Sequence, residues 1–292
     1  MNNFVSEKRQ SEIKRQALWT AKTFGEYTSS EFNEKFNPLY FKISNVLSET
    51  VNISDKIFLD VMSNFGFSLK NYNYLQDLNL EYIFLEKETK KLVISYGVAL
   101  RILSNMKNKE VDRRDIDYME SARNYFGVNS KKSNRGEVSD YFSDRDFVES
   151  NSYLDFDEME PVEDESPVDK CLRTDKEFVI GKILRMTREI YNDSQEDVAN
   201  KALNINQKKL SFIEDGSYVR LYDYLDSLLS IYGLFRSDLD ELINLYKKLT
   251  MQTFDKHVIS YCMKTLILEK ILMNDKLTKE ACEVIKRRMK VR

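Results

Sequence analysis

Proline is almost absent from this chain: there are three in 292 residues and none between Pro38 and Pro161. The apolar residues in that interval recur at helical rather than alternating spacing, so helices are expected to dominate and the fold class is predicted to be all-α. Ser54 precedes DKIFLDVMSNFGF, in which Ile57, Phe58, Val61 and Met62 form a stripe behind a cap-type residue, with Asp55 in the first turn. Glu86 to Met106 carries Leu92, Val93, Tyr96, Leu100 and Leu103 on one side. Both stripes read as core material.

Composition narrows the function classes. Apolar residues make up 42% of the chain and charged ones 32%, enough to build packed cores and too apolar for global disorder. None of the eight glycines falls into a GxGxxG or GxxxxGK pattern, so a P-loop or Rossmann enzyme is not expected. His257 is the only histidine and has no metal-binding motif around it, so a structural or solvated role is expected. Cys171, Cys262 and Cys282 are odd in number and widely spaced, which fits a reducing compartment better than a disulfide framework. Without paired histidines, a phosphate loop or a nucleophile beside a base, the chain reads as non-enzymatic, with no catalytic residue, cofactor or metal assigned. The first residues lack an apolar core of signal-peptide length. The longest apolar run, Leu92 to Leu103, is interrupted and too short to cross a bilayer. A cytoplasmic protein without membrane insertion is expected.

The net charge of −3 conceals an asymmetry. Residues 1–135 carry +4, residues 136–170 carry −11, residues 171–250 carry −1 and residues 251–292 carry +5. The acidic block holds two of the three prolines and no sustained period, and is expected to be a mobile linker between domains. Its aromatic residues, Tyr141, Phe142, Phe147, Tyr153 and Phe156, sit among carboxylates. Beyond serving as a solvated linker, such a block is suited to covering a basic surface of its own chain. The expected organisation is an N-terminal helical sensing or interaction domain (1–135), the acidic linker (136–170), a second helical domain (171–250) and a basic helical tail (251–292).

Residues 178–245 read as a series of short capped helices. An amphipathic stretch from Phe178 to Tyr191 ends at Asn192 and Asp193; Ser194 then opens SQEDVANKAL, with Asp197 placed for a capping box. After Leu203, Asn204 tolerates the left-handed conformation of a tight turn, Ile205 is of buried type, and Asn206 caps QKKLSFIE. Two short helices joined in this way form a helix-turn-helix arrangement. On the second, Leu210 and Ile213 would face the core, leaving Gln207, Lys208, Ser211 and Phe212 outward. Gln pairs bidentately with adenine, Lys with guanine acceptors, and an aromatic edge meets a thymine methyl. Gln195 is placed for a phosphate contact, and Lys201, Lys208, Lys209 and Arg220 for a local positive face.

These residues resemble the Cro-type, or xenobiotic-response-element, helix-turn-helix domain of phage repressors and many bacterial regulators. The resemblance covers about 65 residues and rests on Ser194, Gln195, Glu196, Ala199, Asn204, Ile205, Glu214 and Gly216, continuing through Leu225, Leu228, Leu229 and the Gly233-Leu234 pair. It implies a λ-repressor-like five-helix domain with DNA-contacting residues at Gln195, Asn206, Gln207, Lys208, Lys209, Ser211, Phe212 and Arg220. It also implies binding of double-stranded DNA at a two-fold operator by a homodimer. The chain departs from the family pattern at Asn204, where the turn glycine is usual, at Gly216-Ser217-Tyr218-Val219-Arg220, where a basic loop is usual, and at Phe212.

Two further helices are expected from Asp255 to Arg292, with Thr278 capping the last one and Lys286, Arg287, Arg288, Lys290 and Arg292 in its final turns. Ile259, Met263, Leu266, Ile267 and Ile271 form a stripe suited to packing or dimerisation. A second resemblance lies at Phe36-Asn37-Pro38-Leu39-Tyr40-Phe41, Leu47 and Lys91 to Leu100, which are similar to segments of the type III secretion sorting-platform accessory proteins OrgA and MxiK. It implies a cytosolic adaptor that binds protein through residues 1–135 and uses the helix-turn-helix for protein contacts. The leading expectation is a sequence-specific DNA-binding transcriptional regulator, and the adaptor is the alternative.

Overall fold

The computed structural model describes residues 7–37, 41–48, 51–108, 176–202, 205–252, 255–274 and 276–289. The acidic block 136–170, Cys171, Asn204 and Pro38 to Tyr40 lie outside them. Among the described residues every regular element is a helix, so the all-α class holds. The first six are α1 Glu7–Phe24, α2 Ser29–Phe36, α3 Ile43–Leu47, α4 Asp55–Ser63, α5 Leu69–Glu81 and α6 Lys87–Asn108. Seven more follow: α7 Lys176–Tyr191, α8 Gln195–Lys201, α9 Gln207–Glu214, α10 Leu221–Tyr232, α11 Arg236–Gln252, α12 Lys256–Met273 and α13 Lys276–Met289.

Local signals set most helix starts. Ser54 caps α4 by accepting a hydrogen bond from the Ile57 amide, and Phe58, Val61 and Met62 of the expected stripe are buried. Thr28 and Ser68 begin α2 and α5 with capping boxes closed by Glu31 and Asn71. The α6 stripe also holds, with Val93, Tyr96 and Leu103 buried. α6 packs along α1, where Gln16 Nε2 and Thr20 Oγ1 each donate to Ser95 Oγ, at 2.6 and 3.0 Å.

The centre of the molecule is α12. Every residue from Ile259 to Glu269 is buried, a pattern expected of a helix surrounded on all sides. It contacts α1, α6, α7, α11 and α13, and α13 in turn lies on α6. The sequence places these two helices in a basic tail behind the helix-turn-helix segment; in the structure they pack on the N-terminal half. The stripe from Ile259 to Ile267 is consumed by this internal packing. Thr278 is not a helix cap, contrary to the sequence reading. It lies inside α13, buried, with its hydroxyl donating to the Leu272 carbonyl at 2.5 Å, so it closes the end of α12 instead. His257 is structural: its Nδ1 donates to the Gly25 carbonyl and its ring stacks on Tyr27, with centroids 4.2 Å apart. Cys262 and Cys282 are buried free thiols, and burial pushes Cys282 up to about 12, out of reactive range.

Full burial of α12 carries a cationic cost. Lys264 is 0% exposed, and its ammonium donates to Glu189 Oε2 of α7 at 2.6 Å and to the Thr23 carbonyl at the end of α1 at 2.7 Å, with Glu26 Oε1 at 3.8 Å. One charge thus fixes three helices. Burial alone would raise the Glu189 carboxyl, but Lys264 and Arg185 outweigh it and hold it below the ordinary value of about 4.5.

Glu189→Gln is expected to destabilise the chain by about 3–5 kcal/mol in urea denaturation, because it leaves a buried ammonium without its nearest carboxylate. Lys264→Met should cost less, since the remaining carboxylate is partly solvated and keeps Arg185 at 3.0 Å. The depressed native value means that Glu189 stabilises fully above about pH 4.5 and that this contribution is lost as the pH falls through the lower native value. Burial shifts Glu269 the other way, upward, so the informative quantity is the difference between wild type and Glu189→Gln, which should shrink below pH 4.5.

Candidate nucleic-acid interface

α7 to α10 place two short helices on a supporting pair. Ser194 caps α8: its hydroxyl accepts from the Asp197 amide at 3.0 Å, and Asp197 Oδ2 accepts from the Ser194 amide at 2.8 Å, completing the capping box. Ile205 is buried in the turn, and Asn206 caps α9 by accepting from the Lys209 amide at 2.7 Å. The α9 bounds, Gln207–Glu214, coincide with the segment the sequence marks out, and its inward residues are the expected Leu210 and Ile213.

A buried carboxylate locks this unit, a role the sequence reading did not assign. Glu214 accepts from Arg188 Nε at 2.6 Å and Nη2 at 2.8 Å, and from Gln195 Nε2 at 2.8 Å. Arg188 Nη1 also donates to the Asp193 carbonyl at 3.0 Å. The hydrogen bonds to Glu214, which outweigh burial, raise the Arg188 guanidinium further. α7, α8, α9 and the turn before α8 are therefore joined through one bidentate pair. The signal was present in the Gln195 and Glu214 motif positions, but pairing across 19 residues is not readable from spacing.

Glycine sets the distance between α9 and α7. A Cβ on Gly181 of α7 would lie 2.3 Å from the Ile213 carbonyl oxygen and 2.8 Å from that of Glu214, so only glycine permits this approach. After α9, Gly216 turns with φ +71°, and a Cβ there would meet the Phe178 backbone at 2.4 Å. These contacts give a physical reason for a glycine two residues after Glu214.

The residues expected at the interface divide into three groups. Gln207 and Lys208 are exposed at the start of α9, Phe212 is 44% exposed and Ser211 is half-buried on the same helix, and Arg220 is exposed ahead of α10. Lys208 and Arg220 carry no ion pair among the described residues. Asn206 is committed to its cap. Gln195 and Lys209 are engaged inside the chain: Gln195 spends one amide N–H on Glu214, and Lys209 Nζ lies 3.2 Å from the Tyr224 hydroxyl and 4.9 Å from that ring's centre. Lys201, expected on the positive face, pairs with Asp193 at 2.6 Å. The outward cationic surface is thus narrower than the sequence suggests. Val219 and Tyr222 stand beside it, exposed.

Lys286, expected in a free cationic end, is bonded to Glu269 of α12. Among the described residues no group of histidine, cysteine or carboxylate side chains is arranged to hold a metal, and no helix is long and apolar enough to cross a membrane. Compared with known proteins, the chain matches no family model, no curated protein and no solved structure.

Gly181→Ala is expected to lower stability by about 1–3 kcal/mol in urea, since the added methyl meets helix backbone rather than a flexible side chain. Glu214→Ala should cost about 3–5 kcal/mol, because it strands a half-buried guanidinium and releases Gln195. A loss under 1 kcal/mol for Glu214→Ala would contradict the locking role.

Proposed function

We propose that the chain is a non-enzymatic, cytoplasmic, DNA-binding transcriptional regulator that reads double-stranded DNA through α9. The observation that carries this reading is the presentation of Gln207 and Lys208, exposed and without a side-chain partner among the described residues, at the N-terminal end of a short helix held by the Arg188–Glu214–Gln195 network. The N-terminal residues of a recognition helix are those that reach base edges in a major groove. Glutamine suits adenine and lysine suits guanine acceptors, while Arg220 is placed to meet phosphate. A homodimer on a two-fold site follows from the resemblance to Cro-type domains.

A second reading is favoured by a specific observation. Phe212, Val219 and Tyr222 are exposed beside α9, at 44%, 76% and 42%, and residues 171–250 carry a net charge of −1, a weak basis for phosphate neutralisation. Exposed apolar side chains on α9 and in the segment after it suit a protein partner, the adaptor role that the OrgA and MxiK resemblance implies.

Selection of duplexes retained by the full chain from a randomised pool, followed by fluorescence anisotropy on the selected duplex, separates the two readings. The full chain is required because α12 and α13 pack on α1 and α6 and would be uncovered in a C-terminal fragment. The regulator reading predicts enrichment of a two-fold sequence. It also predicts a loss of roughly 1–3 kcal/mol with relaxed specificity for Gln207→Ala or Lys208→Ala, and a uniform loss with a shallower salt slope for Arg220→Ala. Unchanged binding in the Gln207→Ala, Lys208→Ala double variant would show that another face is used. No retained duplex at low salt would favour the protein-contact reading.

A further inference from the structure

A concave feature lies away from α9. It is a cleft of about 630 Å³ between α1, the first turns of α6 and the end of α7, and it reaches Asn192 just before the turn into α8. Six cations and two carboxylates line it. Lys8 and Arg9 come from the start of α1, while Lys87, Lys90 and Lys91 all fall within the first five residues of α6. Three lysines at a helix N-terminus oppose the helix dipole, which favours anions there. Glu88 offsets only Lys91, at 2.8 Å, and Lys8 and Lys87 have no carboxylate partner among the described residues. Lys90, whose ammonium donates to the Ile83 carbonyl at 3.2 Å, is pushed down from the ordinary lysine value by burial and then by Arg9, which together outweigh the opposing pull of Glu12.

The inner wall has a different chemistry. Ile13, Leu85 and Ile94 are buried there, and Trp19, half-buried, presents its ring at the same wall. Among them sits Asn79, only 7% exposed, whose side-chain amide makes no hydrogen bond among the described residues. A buried amide normally has partners, so one that faces a cleft without them is placed to bond whatever enters. A cationic rim over an apolar, ring-bearing wall with one free amide matches a ligand with several negative charges at one end and a flat, hydrogen-bonding ring at the other.

We propose that this cleft is a nucleotide-binding site, in which Lys8, Lys87 and Lys90 take the phosphates and Trp19 and Asn79 take the base. The volume is within the range of small-ligand pockets, about 300–1,000 Å³. The phosphates are held by side chains and the start of α6 rather than by a glycine-rich loop, which the sequence lacks. The site does not depend on DNA binding by α9.

Trp19 is the only tryptophan in the chain, so its emission reports the cleft directly. The full chain is titrated with ADP, with inorganic pyrophosphate and adenosine as separate arms, and binding is checked by equilibrium dialysis. ADP is expected to change Trp19 emission saturably, with both other probes weaker by about tenfold or more, since each lacks one half of the recognition. Lys87→Glu with Lys90→Glu should weaken ADP by at least about tenfold at unchanged helicity, because an acidic residue at a helix start suits the dipole. Asn79→Leu should weaken ADP while leaving pyrophosphate unchanged. Lys208→Glu, on α9, should leave ADP binding unchanged. No saturable binding of ADP by either readout, pyrophosphate bound as tightly as ADP, or full binding by the double charge reversal would each overturn the assignment.

Discussion

One buried ammonium group organises this molecule. Lys264 sits in the middle of a helix that has no solvent-facing side, and a charge there is tolerated only because Glu189 and the Thr23 carbonyl are brought to it. Those partners lie on α7 and at the end of α1, so satisfying the charge also fixes the N-terminal helices against the helix that supports α8 and α9. Neighbouring contacts repeat the scheme: His257 bonds the Gly25 carbonyl, the Tyr261 hydroxyl donates to the Ala21 carbonyl, and Lys286 pairs with Glu269 beneath α13. Side chains of α12, more than 230 residues later, bond carbonyls at the end of α1 and just beyond it, beside the Glu26 and Tyr27 amides that close its last turn.

This arrangement explains which features were legible in the sequence. Caps are local, so Ser54, Ser194 and Asn206 announce their helices through residues three positions away, and α9 is found with its observed bounds. The amphipathic stripe of α4 reads correctly because that helix has one wet face, whereas in α6 the stripe lies within a stretch, residues 93–99, that is buried all round. α12 gives no such contrast: Ser260, Lys264, Thr265 and Glu269 are polar yet buried, so the helix reads as a tail with one apolar stripe when it is the centre of the fold. Thr278 differs from its sequence expectation for a related reason: it lies inside α13 and its hydroxyl serves the preceding helix, a pairing that local spacing does not show.

The candidate site shows the same division. Gln207, Lys208 and Phe212 were found at the surface because helical spacing fixes their direction once Leu210 and Ile213 are inside. Gln195, Lys201 and Lys209 were read as outward by composition, but each has a partner that only the tertiary structure supplies. The cationic cleft was invisible for the same reason. Its lysines and arginines belong to two stretches nearly eighty residues apart, each of which alone reads as an ordinary charged helix start.

The central claim is that α12 makes the N-terminal helices and the α7–α11 unit one cooperative body. Hydrogen exchange of the intact chain, followed by mass spectrometry through a urea series, tests it most directly. The account predicts that the slowest amides of α1, α6, α7 and α12 converge on one opening free energy and one dependence on urea. Two separate isotherms, one for α1 and α6 and another for α7 and α12, would contradict it.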